Sequence, residues 1–395
     1  MRILFLSYFF EPDLSAGSFK NTSLFKELLN NITSDDQIDV YTTEPNRYSS
    51  FKDKNYKYST GINFSVNRIK VPSHSNGFIG QVKSFFFYYK STLKAIKGEK
   101  YDLVYGSSSK LFTAFLAKRV SNKLNVPLYL DIRDIFADTV KDVFKDKLLI
   151  KYPLFLFAKI IEIYTFKNAA HINLVSGGFK DYFNRYPIPA YSFFTNGIDD
   201  EFLESNFDCD LDDSLYIITY AGNIGTGQGL EKIIPEAAKR LGNRYHFRVI
   251  GDGGTRILLK EEIEKFELTN VELIKPVNRK ELLDYYKSTT FLFLHLNDLK
   301  AFKKVLPSKI FEYGATNKPI IAGVSGYASE FIKENLDNYI LFEPTDVNSF
   351  VRQIKSYEIR FNNRENFREK FRRQSIMSQM ARSIILTCSP KSGQS

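Results

Sequence analysis

Residues 305–315 read VLPSKIFEYGA. They stand between two strand-like runs, FLFLHL at 291–296 and KPIIAG at 318–323. Pro307 suits the first turn of a helix, where its missing N–H is not needed. The stretch therefore predicts strand, short helix, strand. Repeated along a chain, that order gives a parallel sheet with right-handed crossovers.

The alternation does repeat, in two blocks. In residues 1–200 the strands are RILFLSY, QIDVYTT, INFSVNRIKV, DLVYGSS, PLYLDIRD, HINLVS and AYSFFTNG. Helical spacing covers 18–30, 78–96, 111–124 and 147–167. Runs such as LYL and INLV are apolar without strict alternation, as expected of strands covered on both faces. An acidic stretch, DDEFLESNFDCDLDDS at 199–214, interrupts the pattern, and a linker is placed at 201–214. Alternation resumes over 215–362, with helices at 230–241, 257–266 and 280–286, within the quoted 305–315, and at 328–334 and 347–357. A charged helical tail spans 364–386. Residues 363–395 are expected to pack back on the first domain and to fray at the end. The fold class is α/β, with two doubly wound, Rossmann-like domains. Ligands on such sheets sit beyond the carboxyl ends of the strands, so facing crevices would form one interdomain cleft.

The totals agree with a soluble globular protein. Of 395 residues, 43% are apolar and 25% charged, and the formal net charge is +10. A basic balance favours an anionic partner: nucleic acid, a membrane surface or a phosphorylated substrate. Two distant cysteines exclude a zinc cluster or a disulfide framework. The opening MRILFLSYFFEP predicts a first strand rather than a leader. No apolar run reaches the roughly 18 residues of a membrane span, so a cytoplasmic protein is expected.

Five loops at strand ends carry the candidate chemistry. After the first strand, Ala16, Gly17 and Ser18 open a helix; they offer bare amides to a ligand, or Ser18 simply caps it. Asp131, Arg133 and Asp134 follow PLYL; they suit substrate hydroxyls or phosphates, or pair with one another. The loop AGNIGTGQGLEKI at 221–233 places Asn223 and Gln228 among four glycines, a flexible site for an anion without the lysine of a P-loop. VIGDGGTR at 249–256 sets Gly251, Gly253 and Gly254 after a strand. A dinucleotide fingerprint would need a further glycine where Arg256 stands, and an acidic residue about 20 positions on. That residue is Glu272, inside a strand, so the loop points to some nucleotide more than to NAD. In the opening stretch, the amides of Ser308 and Lys309, with the lysine charge, suit a diphosphate. Glu312 suits both hydroxyls of a ribose. His74 and His246 read as structural, and His295 as a satisfied histidine at a strand end. No carboxylate or His/Cys cluster has metal spacing; Asp208-Cys209-Asp210 has a D-x-D form but lies in the linker.

Taken together, AGNIGTGQGLEKI, VIGDGG, NVELIKPVNRKELLDYY and LPSKIFEYGATNKPIIAG resemble the retaining nucleotide-sugar glycosyltransferases of family 4, whose fold is GT-B. YFFEPDLSAGS, DLVYGSSS, DIRD, INLVS and FFTNGIDDEF follow the family's order in the first half. The resemblance is greatest to bacterial transferases of O-antigen and capsule assembly, which often move N-acetylamino sugars. It implies a UDP-sugar donor, no cofactor, no metal, and a polyprenyl-diphosphate-linked saccharide as acceptor at the inner membrane. It assigns the ribose to Glu312, the second glutamate of a Glu-x7-Glu motif whose first position is Lys304 here. It sets Asn223 and Gln228 where the family has arginine and lysine, leaving Lys303, Lys304 and Lys309 to neutralise the diphosphate. It brings Gly17 to the donor phosphate, and Arg133 beside Asp134 to the place of a cleft histidine.

Segments 77–100 and 147–167 mix aromatic and lysine residues at helical spacing. They are either core helices or contacts to an anionic lipid surface. Three rival readings remain: a catalytically impaired sugar-nucleotide binder, suggested by Lys304; an NAD-dependent oxidoreductase; and a nucleic-acid binder. The last is disfavoured because basic residues are spread over both domains.

Overall fold

The computed structural model describes residues 1–46, 60–72, 78–108, 111–138, 148–186, 190–208 and 214–388. The chain divides into two compact units. One comprises Met1–Asn196 with Arg373–Ser395, the other Gly197–Arg372.

The first unit holds β1 (Arg2–Leu6), β2 (Gln37–Thr43), β3 (Thr60–Gly61), β4 (Phe64–Ile69), β5 (Leu103–Ser107), β6 (Leu128–Ile132), β7 (His171–Leu174) and β8 (Tyr191–Ser192). Their order is β3-β4-β2-β1-β5-β6-β7-β8, parallel except for β3 on β4. The order reverses at β1 and β5, where a doubly wound sheet opens its crevice. AYSFFTNG yields only a two-residue strand. The Asn173 carboxamide accepts the Phe194 N–H at 2.7 Å, so a side chain replaces the ladder there. The helix Ala16–Asn31 is capped by Ser15, whose hydroxyl accepts the Ser18 N–H at 3.2 Å. Ser18 is thus not the cap, and Gly17 lies buried inside the first turn.

The tail does not form one helix. Glu365–Lys370 stays with the second unit, its flank stacking Phe367 and Phe371 on Phe311 and Phe331. Arg373–Cys388 belongs to the first unit. Its Met377, Met380, Ala381 and Ile384, one face of a helix, join Phe5, Leu24, Phe25, Leu28 and Tyr105 in the core.

Two helices of the first unit keep apolar side chains in water. Leu148–Phe166 exposes Tyr152, Leu156, Phe157, Ile160, Ile163 and Tyr164, with Leu156 60% and Ile160 58% accessible. Its Lys159 turns inward, to the Tyr182 and Tyr186 hydroxyls at 2.8 and 3.1 Å and to Glu162 at 3.4 Å. Of the expected mixture of aromatic and lysine, Lys159 therefore leaves the face, whose exposed residues between Tyr152 and Tyr164 are apolar; Lys167 stays exposed, and Lys147 lies outside the described residues. Phe78–Ala95 does present the mixture: Phe86 and Phe87 beside Lys83, Lys90 and Lys94, with Lys90 over the Phe86 ring.

The second unit is a fully parallel sheet of β9 (Tyr216–Asn223), β10 (Tyr245–Asp252), β11 (Val271–Ile274), β12 (Phe291–His295), β13 (Ile320–Gly323) and β14 (Tyr339–Phe342), in the order β11-β10-β9-β12-β13-β14. Its switch point lies between β9 and β12. The expected helix at 230–241 is a short turn, Leu230–Lys232, followed by Ile234–Leu241 with Pro235 in its first turn, where proline fits.

Candidate functional site

In the second unit, three strands deliver their ends to one place. β9 runs into the loop 222–229. β10 ends beside it, with Gly251 opposite Gly222 and Asp252 opposite Asn223. The approach is so close that a Cβ on Gly251 would lie 1.9 Å from the Gly222 carbonyl oxygen, and one on Gly253 2.4 Å from that of Ile224. These glycines are required because two backbones touch. The Ile224 N–H donates to the Asp252 carbonyl at 2.9 Å and stitches the loops together.

β12 holds the first loop from the other side. Asn297 donates its N–H to Gly227 O (2.9 Å) and its carboxamide to Thr226 O (2.8 Å). His295 is buried, and burial pushes its imidazole down to about 4. The neutral ring accepts the Thr345 N–H on Nε2 (3.0 Å) and so donates from Nδ1 to Gln228 O (2.5 Å). Asn223 donates to the Gln228 side chain at 2.9 Å, closing the loop on itself.

The opening stretch becomes the helix Lys309–Gly314. Ile310 and Phe311 enter the core, and the Tyr313 hydroxyl accepts the Ala221 N–H at 3.3 Å, fixing the helix under the end of β9. Ser308 precedes the helix; the first amide to donate within the turn is that of Ile310, to Pro307 O at 3.2 Å. With six residues the helix carries little macrodipole, so charge at this end comes from lysine rather than from the backbone. Lys304 ends a short turn, Lys300–Lys304, whose Lys303 backbone packs under Gly326.

Lys309 and Glu312, expected to serve different parts of a ligand, bind each other: Nζ to Oε2 is 2.7 Å. The Lys309 stem passes Gly222, its Cε 3.5 Å from where a Cβ there would sit. The other oxygen of Glu312 accepts from Arg279 Nη1 at 3.2 Å. Glu312 is 5% exposed. Burial alone would raise its carboxyl; Lys309 and Arg279 outweigh that and hold it at about 2. Arg279 also pairs with Asp199 and, at 3.3 Å, with Glu201, and its guanidinium lies 4.8 Å from the Phe202 ring centre. Sequence reading missed Arg279. NRKEL announces a helix start, and Asn278 does cap it, but nothing local points to a partner 33 positions on.

In the first unit, Arg133 is set at the end of β6. Its N–H donates to Ser108 Oγ (2.9 Å) and its guanidinium to Asn196 (2.7 Å), with Asp131 at 3.6 Å. Asp131 is wholly buried on Lys20 (2.8 Å) and Asn173 (2.6 Å). Burial pushes the Lys20 ammonium down to about 8 despite that partner. Lys20 lies one turn on from Gly17 in the same helix, and Asp131 faces both Lys20 and Arg133. Asp134 faces solvent. Of the D-x-D form, Cys209 and Asp210 lie outside the described residues, as does His74.

These two units define the GT-B class of fold. The structure matches sucrose-phosphate synthase from Thermosynechococcus elongatus with a TM-score of 0.73 at 14% identity, over 98% of both chains. It matches Anabaena HepE, solved in complex with UDP-glucose, at 0.66 and 13% identity, over 98% of this chain and 100% of that one. Residues 203–374 match the family model of glycosyl transferases group 1. Among curated proteins, the chain is similar to Escherichia coli (strain K12) WcaI, named as a glycosyl transferase of colanic acid biosynthesis. The two are 35% identical over 102 residues, 26% of this chain, and the match spans only 25% of the relative's own length.

Proposed function

We propose that the protein is a glycosyltransferase that moves a sugar from a UDP-sugar, with retention and without a metal, to a lipid-linked saccharide in bacterial surface polysaccharide assembly. The observation that carries this reading is the buried Glu312 paired to a lysine beside two interlocked glycine loops. The matched family segment covers the same unit, 203–374. HepE was solved with UDP-glucose, and WcaI is named for colanic acid biosynthesis; both support this reading.

In this reading Glu312 takes the ribose, and Lys309, with Lys303 and Lys304, meets the diphosphate. A departing UDP gathers negative charge, and fixed cations in a partly dry site stabilise it. Gly251, Gly253, Asn223 and Gln228 shape the wall of the nucleotide site rather than neutralise charge. Gly17 leaves room for the donor phosphate, and Arg133 with Asp134 serves the reacting end. The polyprenyl-linked acceptor implies a place at the membrane. Among the described residues no helix is long and apolar enough to cross one, and the exposed stripe of Leu148–Phe166 suits lying on its surface.

Thermal unfolding with UDP, GDP, NAD and UDP-sugars, wild type beside Glu312→Ala, tests the nucleotide site. A ligand at about 100 times its Kd adds about 2.7 kcal/mol. UDP is expected to stabilise the wild type and not the variant. Stabilisation by NAD in preference to UDP, or an equal response of the variant to UDP, overturns the reading.

A further inference from the structure

Glu312 carries two cations that are not equivalent. Lys309 is a compact charge on a flexible stem, held to Oε2 at 2.7 Å, and its ammonium can change partners at small cost. Arg279 is a planar fork spread over Glu312, Asp199 and Glu201 and laid on Phe202. Its geometry is determined from three sides, and its side chain is 18% exposed. A pentose cannot reach a carboxylate that is 5% exposed until one of those cations withdraws. If the lysine were the only cation, its departure would strand a buried charge without a partner.

We propose that Arg279 is a positioning residue and Lys309 an exchangeable one. A ligand diphosphate draws Lys309 off Glu312 Oε2, and the oxygen it leaves accepts the ribose hydroxyls. Arg279 meanwhile keeps Oε1 fixed. This rests on the nucleotide reading above and adds to it that the two halves of the nucleotide help each other bind. Uridine alone must displace Lys309 with no phosphate to receive it.

Isothermal titration of the full chain with UDP and with uridine tests this in the wild type, Lys309→Met, Arg279→Gln, Arg279→Lys and Glu312→Gln. Lys309→Met is expected to bind UDP at least tenfold more weakly, about 1.4 kcal/mol, and uridine at least about threefold more tightly than the wild type. Arg279→Gln is expected to weaken both ligands about tenfold or more, and Arg279→Lys to recover part of that loss, since it restores the charge without the fork. Uridine binding that fails to rise in Lys309→Met overturns the exchange. Unchanged binding of both ligands by Arg279→Gln overturns the positioning role. Should Arg279→Gln fail to fold, Arg279→Lys decides the positioning role, which unchanged binding of both ligands overturns, and Lys309→Met decides the exchange. Glu312→Gln separates the two failures. If it binds UDP like the wild type, the nucleotide site itself is wrong. If it loses UDP while Lys309→Met gains no uridine, the site stands and only the exchange falls.

Discussion

A carboxylate sealed inside a protein keeps its charge only where cations replace the water it has lost. Glu312 meets that condition through Lys309 and Arg279, and its folded value of about 2 lies below the ordinary 4.5. A depressed acid contributes stability that is full above its unfolded value and is lost as pH falls through its folded one. The contribution of Glu312 is therefore expected to disappear between about pH 4.5 and pH 2. Thermal unfolding of wild type and Glu312→Gln over that range checks it: the gap between the two melting temperatures should narrow as pH falls. A gap that widens contradicts the ionised pair. The glutamate was legible in PSKIFE because proline, lysine and carboxylate fall within about two helical turns. Arg279 was not, since its partners Asp199, Glu201 and Glu312 are brought to it only by the folded sheet.

At the scale of elements, the places of the strands along the chain followed from the apolar runs, because parallel strands covered on both faces leave a plain signature. What sequence could not supply was the use of the glycines. Gly251 and Gly254 look alike in GDGG, yet a Cβ on the first would strike backbone at 1.9 Å and one on the second would meet nothing within 4 Å. Gly251→Ala is expected to cost about 2–4 kcal/mol by forcing two backbones apart, and Gly254→Ala under about 0.5 kcal/mol. Urea unfolding distinguishes them; equal effects would refute the interlocked loops.

The helix Leu148–Phe166 tells a similar story. Its lysine at 159 reads as a surface charge in sequence and is bound inward in the structure, because Glu162, Tyr182 and Tyr186 converge on it. The lipid contact proposed for this face would therefore be hydrophobic. Ile160→Glu is expected to reduce sedimentation with anionic vesicles several-fold even at about 0.5 M salt, where screening leaves little long-range attraction. Because Ile160 is 58% exposed, the melting temperature should barely move. Vesicle binding that persists in the variant removes this helix from the membrane contact.

For the whole molecule, the chain leaves the first unit after Asn196 and re-enters it at Arg373. The return of the charged, helical tail to the first unit was expected. Its division was not, since Phe367 and Phe371 serve one core and Met377 to Ile384 another. Removing residues 373–395 strips Met377, Met380 and Ile384 from the first unit. At about 1.5–3 kcal/mol per buried side chain, that approaches the whole stability of a domain, about 5–15 kcal/mol. The truncated chain is expected to lose the first unit's cooperative unfolding while the second unit still melts with its UDP response. Retention of two transitions by calorimetry would contradict the assignment of the tail.

The claim on which the functional account depends is that a uridine nucleotide lies against Glu312. A crystal structure of the protein soaked with UDP measures this directly. The expected result is a ribose hydroxyl within about 3 Å of Glu312 Oε2, with the Lys309 ammonium moved to the diphosphate and Arg279 still on Oε1. UDP bound elsewhere, with the Lys309–Glu312 pair intact, would contradict the account.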